Sequence, residues 1–250
     1  MGDEPKSSQN PALAEIRPVS PEFTGKVLTQ GKKLFLYFYM LLTVAVCAFL
    51  ALLALCYFVV PFQDSTMPLW DICIYFASSI FLGGLSLIQL SQAAGPANDH
   101  LLVVVKKRFG KRPDHWVESD DPCAEFVEIV PPENRERVML ETATDIGFLV
   151  IDEATKDIRF EGDKERYRIP AVAIQFCQMK QSQVDPYGWF GGTHFHVVLS
   201  CETASGPELI TFTKRWRSTI LGKKRREQWT RETVEQIERL MKDAKPKISL

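Results

Sequence analysis

Two long uncharged apolar runs constrain this chain more than any other feature. Leu34–Val60 (LFLYFYMLLTVAVCAFLALLALCYFVV) and Ile72–Leu90 (ICIYFASSIFLGGLSLIQL) contain no Asp, Glu, Lys or Arg. As helices rising about 1.5 Å per residue they would reach roughly 40 Å and 28 Å, against a hydrocarbon core of about 30 Å. A helix on a soluble core carries a polar face; here the apolar character runs all the way round. The connecting PFQDSTMPLWD is too polar to bury and too short to fold alone. The pattern predicts a transmembrane helical hairpin over 34–94, with helices at about 34–60 and 70–94. Tyr37, Tyr39 and Tyr57 fall near the ends of the first helix, and Trp70 and Tyr75 at the start of the second. Such amphipathic rings settle at headgroup level.

The flanks set the orientation. Lys26, Lys32 and Lys33 precede the first helix, and Lys106, Lys107, Arg108, Lys111 and Arg112 follow the second, while the connecting loop has no Lys or Arg. Positive residues stay on the cytoplasmic side. The expected localisation is therefore a cell membrane, multi-pass, with both termini cytoplasmic and the 61–71 loop outside. The first helix should act as an uncleaved signal anchor, because the apolar run comes late and is too long for a cleaved signal. A channel or transporter would need an oligomer lined by hydroxyls and backbone, since neither helix offers a charge as an ion site or proton relay.

Residues 1–33 hold four prolines and mixed charges with no periodic apolar face. Such a tail cannot bury enough apolar surface to offset its ordering entropy and is expected to be disordered to about Phe23. The whole chain carries a net charge of −1, and the part after the hairpin is balanced. A nucleic-acid domain would be clearly basic, so no nucleic-acid partner is expected. Cys123, Cys177 and Cys201 are scattered, with no CxxC spacing, and are expected to be free thiols in a reducing cytosol.

After the hairpin, residues 95–123 read as a juxtamembrane linker. His100–Arg112 (HLLVVVKKRFGKR) feeds an apolar run into a basic cluster. As an interfacial helix it would lay Leu101, Leu102, Val105 and Phe109 against lipid; as a strand it would use its three valines. From 124 to 246 the pattern turns to β. Short alternating runs follow one another: EFVEIV, GFLVID, DIRFEG, RYRIP, AVAIQFCQMK, THFHVVLSCE and ELITFTKRW, bounded by turn residues. The chain closes with an amphipathic helix. Thr230 is its expected N-cap, with Trp229 and Val234 as a staple and Thr233, Ile237, Leu240, Met241 and Ala244 as its apolar stripe.

Seven short strands and a final helix, with the run IRFEGDKERYRIPAVAIQFCQMK (strand, tight turn, strand, "IP" corner, strand), make 124–244 similar to the bacterial membrane-anchored members of the pleckstrin-homology-like superfamily. The resemblance implies a β-barrel of two near-orthogonal sheets with a C-terminal capping helix, and a binding role. It carries no catalytic motif. The lipid-binding members use basic residues in the first strand–strand loop; here Arg135 and Arg137 sit among Glu133, Glu136 and Glu141.

Chemical motifs are sparse. His194-x-His196 puts two imidazoles on one strand face, but two ligands do not make a zinc site, and Cys201 has the opposite parity. DPYGWFGG (185–192) lacks the spacing and Lys of a phosphate loop; its Trp189 and Phe190 fit either a loop tip that touches membrane or a partner or, the favoured reading, a hairpin turn folded back on the barrel. No enzyme, cofactor or metal is expected. One surface feature stands out: Lys214, Arg215, Arg217, Lys223, Lys224, Arg225 and Arg226 fall within thirteen positions without one acid. Together with Lys106, Lys107, Arg108, Lys111 and Arg112 they are the candidate contacts to an anionic inner leaflet. The expectation is a membrane protein presenting a cytoplasmic binding or scaffolding domain. Its partners would be the bilayer, a protein of unknown identity, or further copies of itself. The alternative is a subunit of an oligomeric channel or transporter.

Overall fold

All seven alternating runs form strands, and an eighth strand lies where none was expected. The computed structural model describes residues 12–25, 27, 29–63, 66–91, 95–135, 143–183, 193–215 and 223–244. The elements, in order, are β1 (Glu15–Pro18), α1 (Gln30–Gln63), α2 (Leu69–Ser91), α3 (Gly95–Phe109), β2 (Glu125–Ile129), β3 (Asp145–Asp152), β4 (Asp157–Gly162), β5 (Glu165–Pro170), β6 (Ile174–Gln183), β7 (Thr193–Thr203), β8 (Gly206–Lys214) and α4 (Lys223–Ala244). The chain divides into two compact units. One contains Gln30–His100; the other joins residues up to Thr29 to Leu101–Arg215 and to the chain from Lys223 onward.

In the first unit α1 and α2 pack together, and both are long and apolar enough to cross a membrane. Tyr57 meets Tyr75 at 5.6 Å and Phe58 meets Phe76 edge-on at 5.2 Å between ring centroids. The hydroxyls of Ser79 and Ser86 donate to the carbonyls of Ala54 (2.8 Å) and Cys47 (2.9 Å) on the other helix. Elsewhere the surface is apolar: Leu34, Phe35, Phe38, Phe49, Ile80 and Phe81 are each 60 % exposed or more.

In the second unit the strands form one antiparallel sheet in the order β1-β5-β4-β3-β2-β8-β7-β6. The sheet curls. Phe160 of β4 and Phe212 of β8 are separated by two strands, about 14 Å along a flat sheet at the usual 4.8 Å spacing. Their ring centroids are 5.7 Å apart. The concave face holds the apolar core, including Val127, Leu149, Ile158, Ile169, Val197, Leu199 and Ile210, and α4 packs on β6 and β7.

Three expectations are corrected here. The tail is not free up to Phe23: Glu15–Pro18 pairs with Arg168–Glu165, and Ala14 and Val19 are buried. The pairing succeeds because β5 offers an open edge, whose backbone groups any extended segment can satisfy. Residues 95–123 are not a linker lying on lipid: α3 is a helix whose Leu101, Val105 and Phe109 are buried, with Phe109 edge-on to Phe148 at 5.8 Å. Finally, Thr230 does not cap α4, which already runs from Lys223; its hydroxyl donates to the Arg226 carbonyl (2.9 Å) inside the helix. Of the expected stripe, Thr233, Ile237 and Leu240 are buried and Met241 and Ala244 half-buried, and Val234 is buried beside them.

A fragment beginning at residue 113, past the apparent linker, would therefore lose part of its own core. It is expected to unfold at lower denaturant than one beginning at 101, by about 3 kcal/mol for the lost Phe109 packing alone. Urea unfolding of the two fragments, followed by tryptophan fluorescence, makes the comparison; equal midpoints would mean that α3 contributes no packing.

Candidate functional site

The basic residues singled out in the sequence divide by environment. Arg112 is not a surface contact at all: its side chain is 1 % exposed and Nη1 donates to Glu161 Oε1 (2.5 Å) and the Gly162 carbonyl (2.7 Å). Lys106 pairs with Asp120 at 3.2 Å, and Arg108 is half-buried, whereas Lys107 and Lys111 are exposed. Lys214 pairs with Glu125 (2.6 Å) and lies 5.5 Å over the Trp229 ring, and Arg215 pairs with Glu128 (3.0 Å). Lys223, Lys224 and Arg225 are exposed on the first turn of α4; Arg226 is half-buried, and burial pulls its guanidinium below its ordinary pKa. A first turn with four cations opposes the helix dipole, which favours anions there. Arg217, Arg137, Trp189 and Phe190 lie outside the described residues.

Arg112 belongs instead to a buried ionic clasp. Glu161, on β4, is fully buried; Oε1 accepts from Arg112 and from Arg166 Nε (2.9 Å), and Oε2 from the Trp116 backbone N–H (2.9 Å). Arg166 in turn holds the Asp114 carboxylate at 2.8 Å. That bond is the main reason the Asp114 pKa falls below the usual carboxylate range. Beside the clasp, the Asp145 carboxylate accepts backbone N–H bonds from Ile146, Asp163, Lys164 and Glu165, closing the tight β4–β5 turn. Asp163 also receives the Val27 N–H on Oδ2 (2.8 Å) and the Gly25 N–H on its carbonyl (3.1 Å), so the N-terminal segment wraps this turn. The turn needs its glycine: a Cβ on Gly162 would collide with the Asp145 carboxylate. Burial pushes the Asp145 carboxyl up to about 7 against the pull of its N–H donors, and the neighbouring Asp163 charge adds to the rise.

The two histidines lie side by side with ring centroids 6.4 Å apart. His196 is buried between hydroxyls, with Nε2 2.7 Å from Ser182 Oγ and Nδ1 2.6 Å from Thr213 Oγ1. Burial lowers its pKa to about 3, with the His194 and Arg135 charges acting the same way, so the ring is neutral and one nitrogen donates while the other accepts. Arg135 extends this polar row through a bond to the Thr211 hydroxyl. A histidine with both nitrogens engaged by hydroxyls fixes strand pairing across β6, β7 and β8. Among the described residues no group of three or more His, Cys, Asp or Glu is placed to hold a metal ion.

The clasp was not apparent in the sequence, where Arg112 ended a basic flank and Glu161 was one polar residue of an alternating strand. Comparisons with protein-family models, with curated proteins and with solved structures find no match.

Proposed function

We propose that α1 and α2 anchor the chain in a membrane as a hairpin, and that the β unit is a pleckstrin-homology-like binding or scaffolding domain at the cytoplasmic surface. One observation carries the hairpin reading. β1 precedes both apolar helices and β5 follows them, yet the two strands share one sheet. Residues that pair in a sheet are on one side of any bilayer, so the helices between them must cross an even number of times. The exposed apolar surface of α1 and α2 supports their lying in lipid, and the Lys-rich flanks support a cytoplasmic side for the domain. At 34 residues α1 is about 51 Å long, which a tilt or emergence at its ends accommodates.

The domain reading is supported by topology. Without β1, the sheet order β5-β4-β3-β2-β8-β7-β6 joins the first and last strands of the segment, giving runs of four and three strands with a closing helix on the second. That is the layout the sequence resemblance implies, and the 5.7 Å contact between Phe160 and Phe212 supports the curvature of a barrel. Ser79 and Ser86 spend their hydroxyls on α1 carbonyls, which favours an anchor over a hydroxyl-lined pore. Lys107, Lys111, Lys223, Lys224 and Arg225 remain the candidate contacts to anionic lipid, each contributing roughly 1 kcal/mol near a charged surface. A protein partner or a further copy of the chain is the other expected ligand of the domain.

Cysteine accessibility tests the topology. With Cys56 and Cys73 changed to Ala and Thr66 to Cys, an impermeant maleimide should label position 66 in intact cells. The exposed native Cys123 should react only after permeabilisation. The reverse pattern would invert the orientation, and labelling of both positions from one side would remove the hairpin.

A further inference from the structure

A second site, independent of the membrane reading, lies on the outer face of the sheet. The register β1–β5–β4 places Glu15 opposite Arg168 and Arg168 opposite Arg159, with Arg17 opposite Arg166 two residues along on the same face. Arg166 is committed to the clasp. The other three arginines border a cavity of about 340 Å³ whose wall is completed by Trp116, Asp157 and Glu15. The Arg17 guanidinium lies 5.6 Å over the Trp116 ring. Like charges directly opposite each other on neighbouring strands are destabilising, so the Arg159–Arg168 pair needs a reason.

Asp157 supplies part of it. Its carboxylate accepts from Arg168 Nε at 2.9 Å and from the Thr155 hydroxyl at 2.6 Å, and lies 3.2 Å from Arg159 Nε as an ion pair without a hydrogen bond. Glu15 pairs with Arg17, and Arg159 reaches Asp152 with Nη2. Arg168 is bound only through Nε: its two terminal nitrogens have no partner among the described residues, and its side chain is 52 % exposed. The three guanidiniums are thus matched in number by Glu15, Asp152 and Asp157, carboxylates that are spent on orienting the forks. Forked N–H donors match the tetrahedral oxygens of a phosphate.

We propose that this cavity binds a phosphate group. Because Glu15 and Arg17 come from β1, the site is complete only while the N-terminal segment is docked. Binding must then stabilise docking by the same factor as docking strengthens binding. β1 is a four-residue edge strand, the kind of element that opens most readily, so its opening is the sensitive readout.

The experiment is hydrogen exchange at residues 14–19 of the full chain in phosphatidylcholine nanodiscs, with inorganic phosphate titrated against chloride at constant ionic strength. The expected result is a saturable slowing of several-fold. Arg168→Gln should weaken the apparent affinity tenfold or more, and Arg17→Gln likewise; both side chains are half-exposed. The Lys223→Ser, Lys224→Ser, Arg225→Ser variant should respond like wild type, which separates this site from the basic turn of α4. If the slowing instead appears only in discs containing phosphatidic acid and is lost in Arg168→Gln, the phosphate is a lipid headgroup. No slowing in either arm, or slowing that survives both arginine variants, overturns the site and leaves a closed ion-pair network.

Discussion

Replacing Glu161 with Gln is expected to destabilise the β unit by about 3–5 kcal/mol, read as a lower urea midpoint with an unchanged slope. The side chain is fully buried and sits between two guanidiniums that are themselves nearly buried. Removing its charge leaves Arg112 and Arg166 close together and nearly buried, with only the buried Asp163 and the exposed Asp114 to balance them. Gln keeps the volume, so lost packing is not the cause. Arg112→Leu should do comparable damage by stranding Glu161. The double variant, Arg112→Leu with Glu161→Leu, should recover part of the loss, because an apolar pair of similar size costs less than one buried charge. A midpoint within about 0.5 kcal/mol of wild type for Glu161→Gln would mean that the clasp is wet and its charges are screened.

A second large effect lies in the pH dependence, where two buried groups work against each other. The Asp145 carboxyl is raised to about 7, so in the folded chain it keeps a proton that the unfolded chain releases near pH 4. Stability from this group is fully present below about pH 4 and is lost as pH rises through 7. His196, lowered to about 3, refuses a proton that the unfolded chain takes up near 6.5. Stability from this group is fully present above 6.5 and is lost as pH falls toward 3. Between about pH 4 and 6.5 the two slopes are equal and opposite, each about 1.4 kcal/mol per pH unit. His194, also lowered by burial, adds to the acid-side loss. The informative quantity is therefore the slope relative to wild type. Asp145→Asn should gain about 1.4 kcal/mol of stability relative to wild type for each pH unit of increase in this window, and His196→Gln should lose as much. Urea midpoints at several pH values decide it; parallel profiles for all three chains would mean that neither group titrates with folding.

How much of this was legible in the sequence depended on where each partner lay. The seven strands were readable because each buries one face and alternates, as in DIRFEG and THFHVVLSCE, and alternation is a local property. β1 was not, since EIRP is four residues with a proline and mixed charge, and only the open edge of β5 makes it a strand. α3 was read on the wrong side because Leu101, Val105 and Phe109 describe an apolar stripe equally suited to lipid or to a protein core. The start of α4 was misplaced because KKRR at a helix N-terminus runs against the dipole. Of the charged groups, the Arg159–Arg168 pair was within reach. The tight turn at Asp163–Lys164 fixes that register, so the two arginines could have been placed opposite each other. The clasp was not within reach, because Arg112 and Glu161 are brought together only by the packing of α3.

The sheet also sets a timetable. β1 leaves the ribosome well before its partner β5, which lies about 150 residues further along. At about 5–20 residues per second that is a wait of roughly eight to thirty seconds, during which both apolar helices are made. Glu15–Pro18 must stay extended and unclaimed throughout, which its charges and proline assist by discouraging early pairing with other strands. Among the described strands β1 is made before all others yet cannot be seated until β5 has followed, so one edge of the sheet closes on a segment that has waited for its partner.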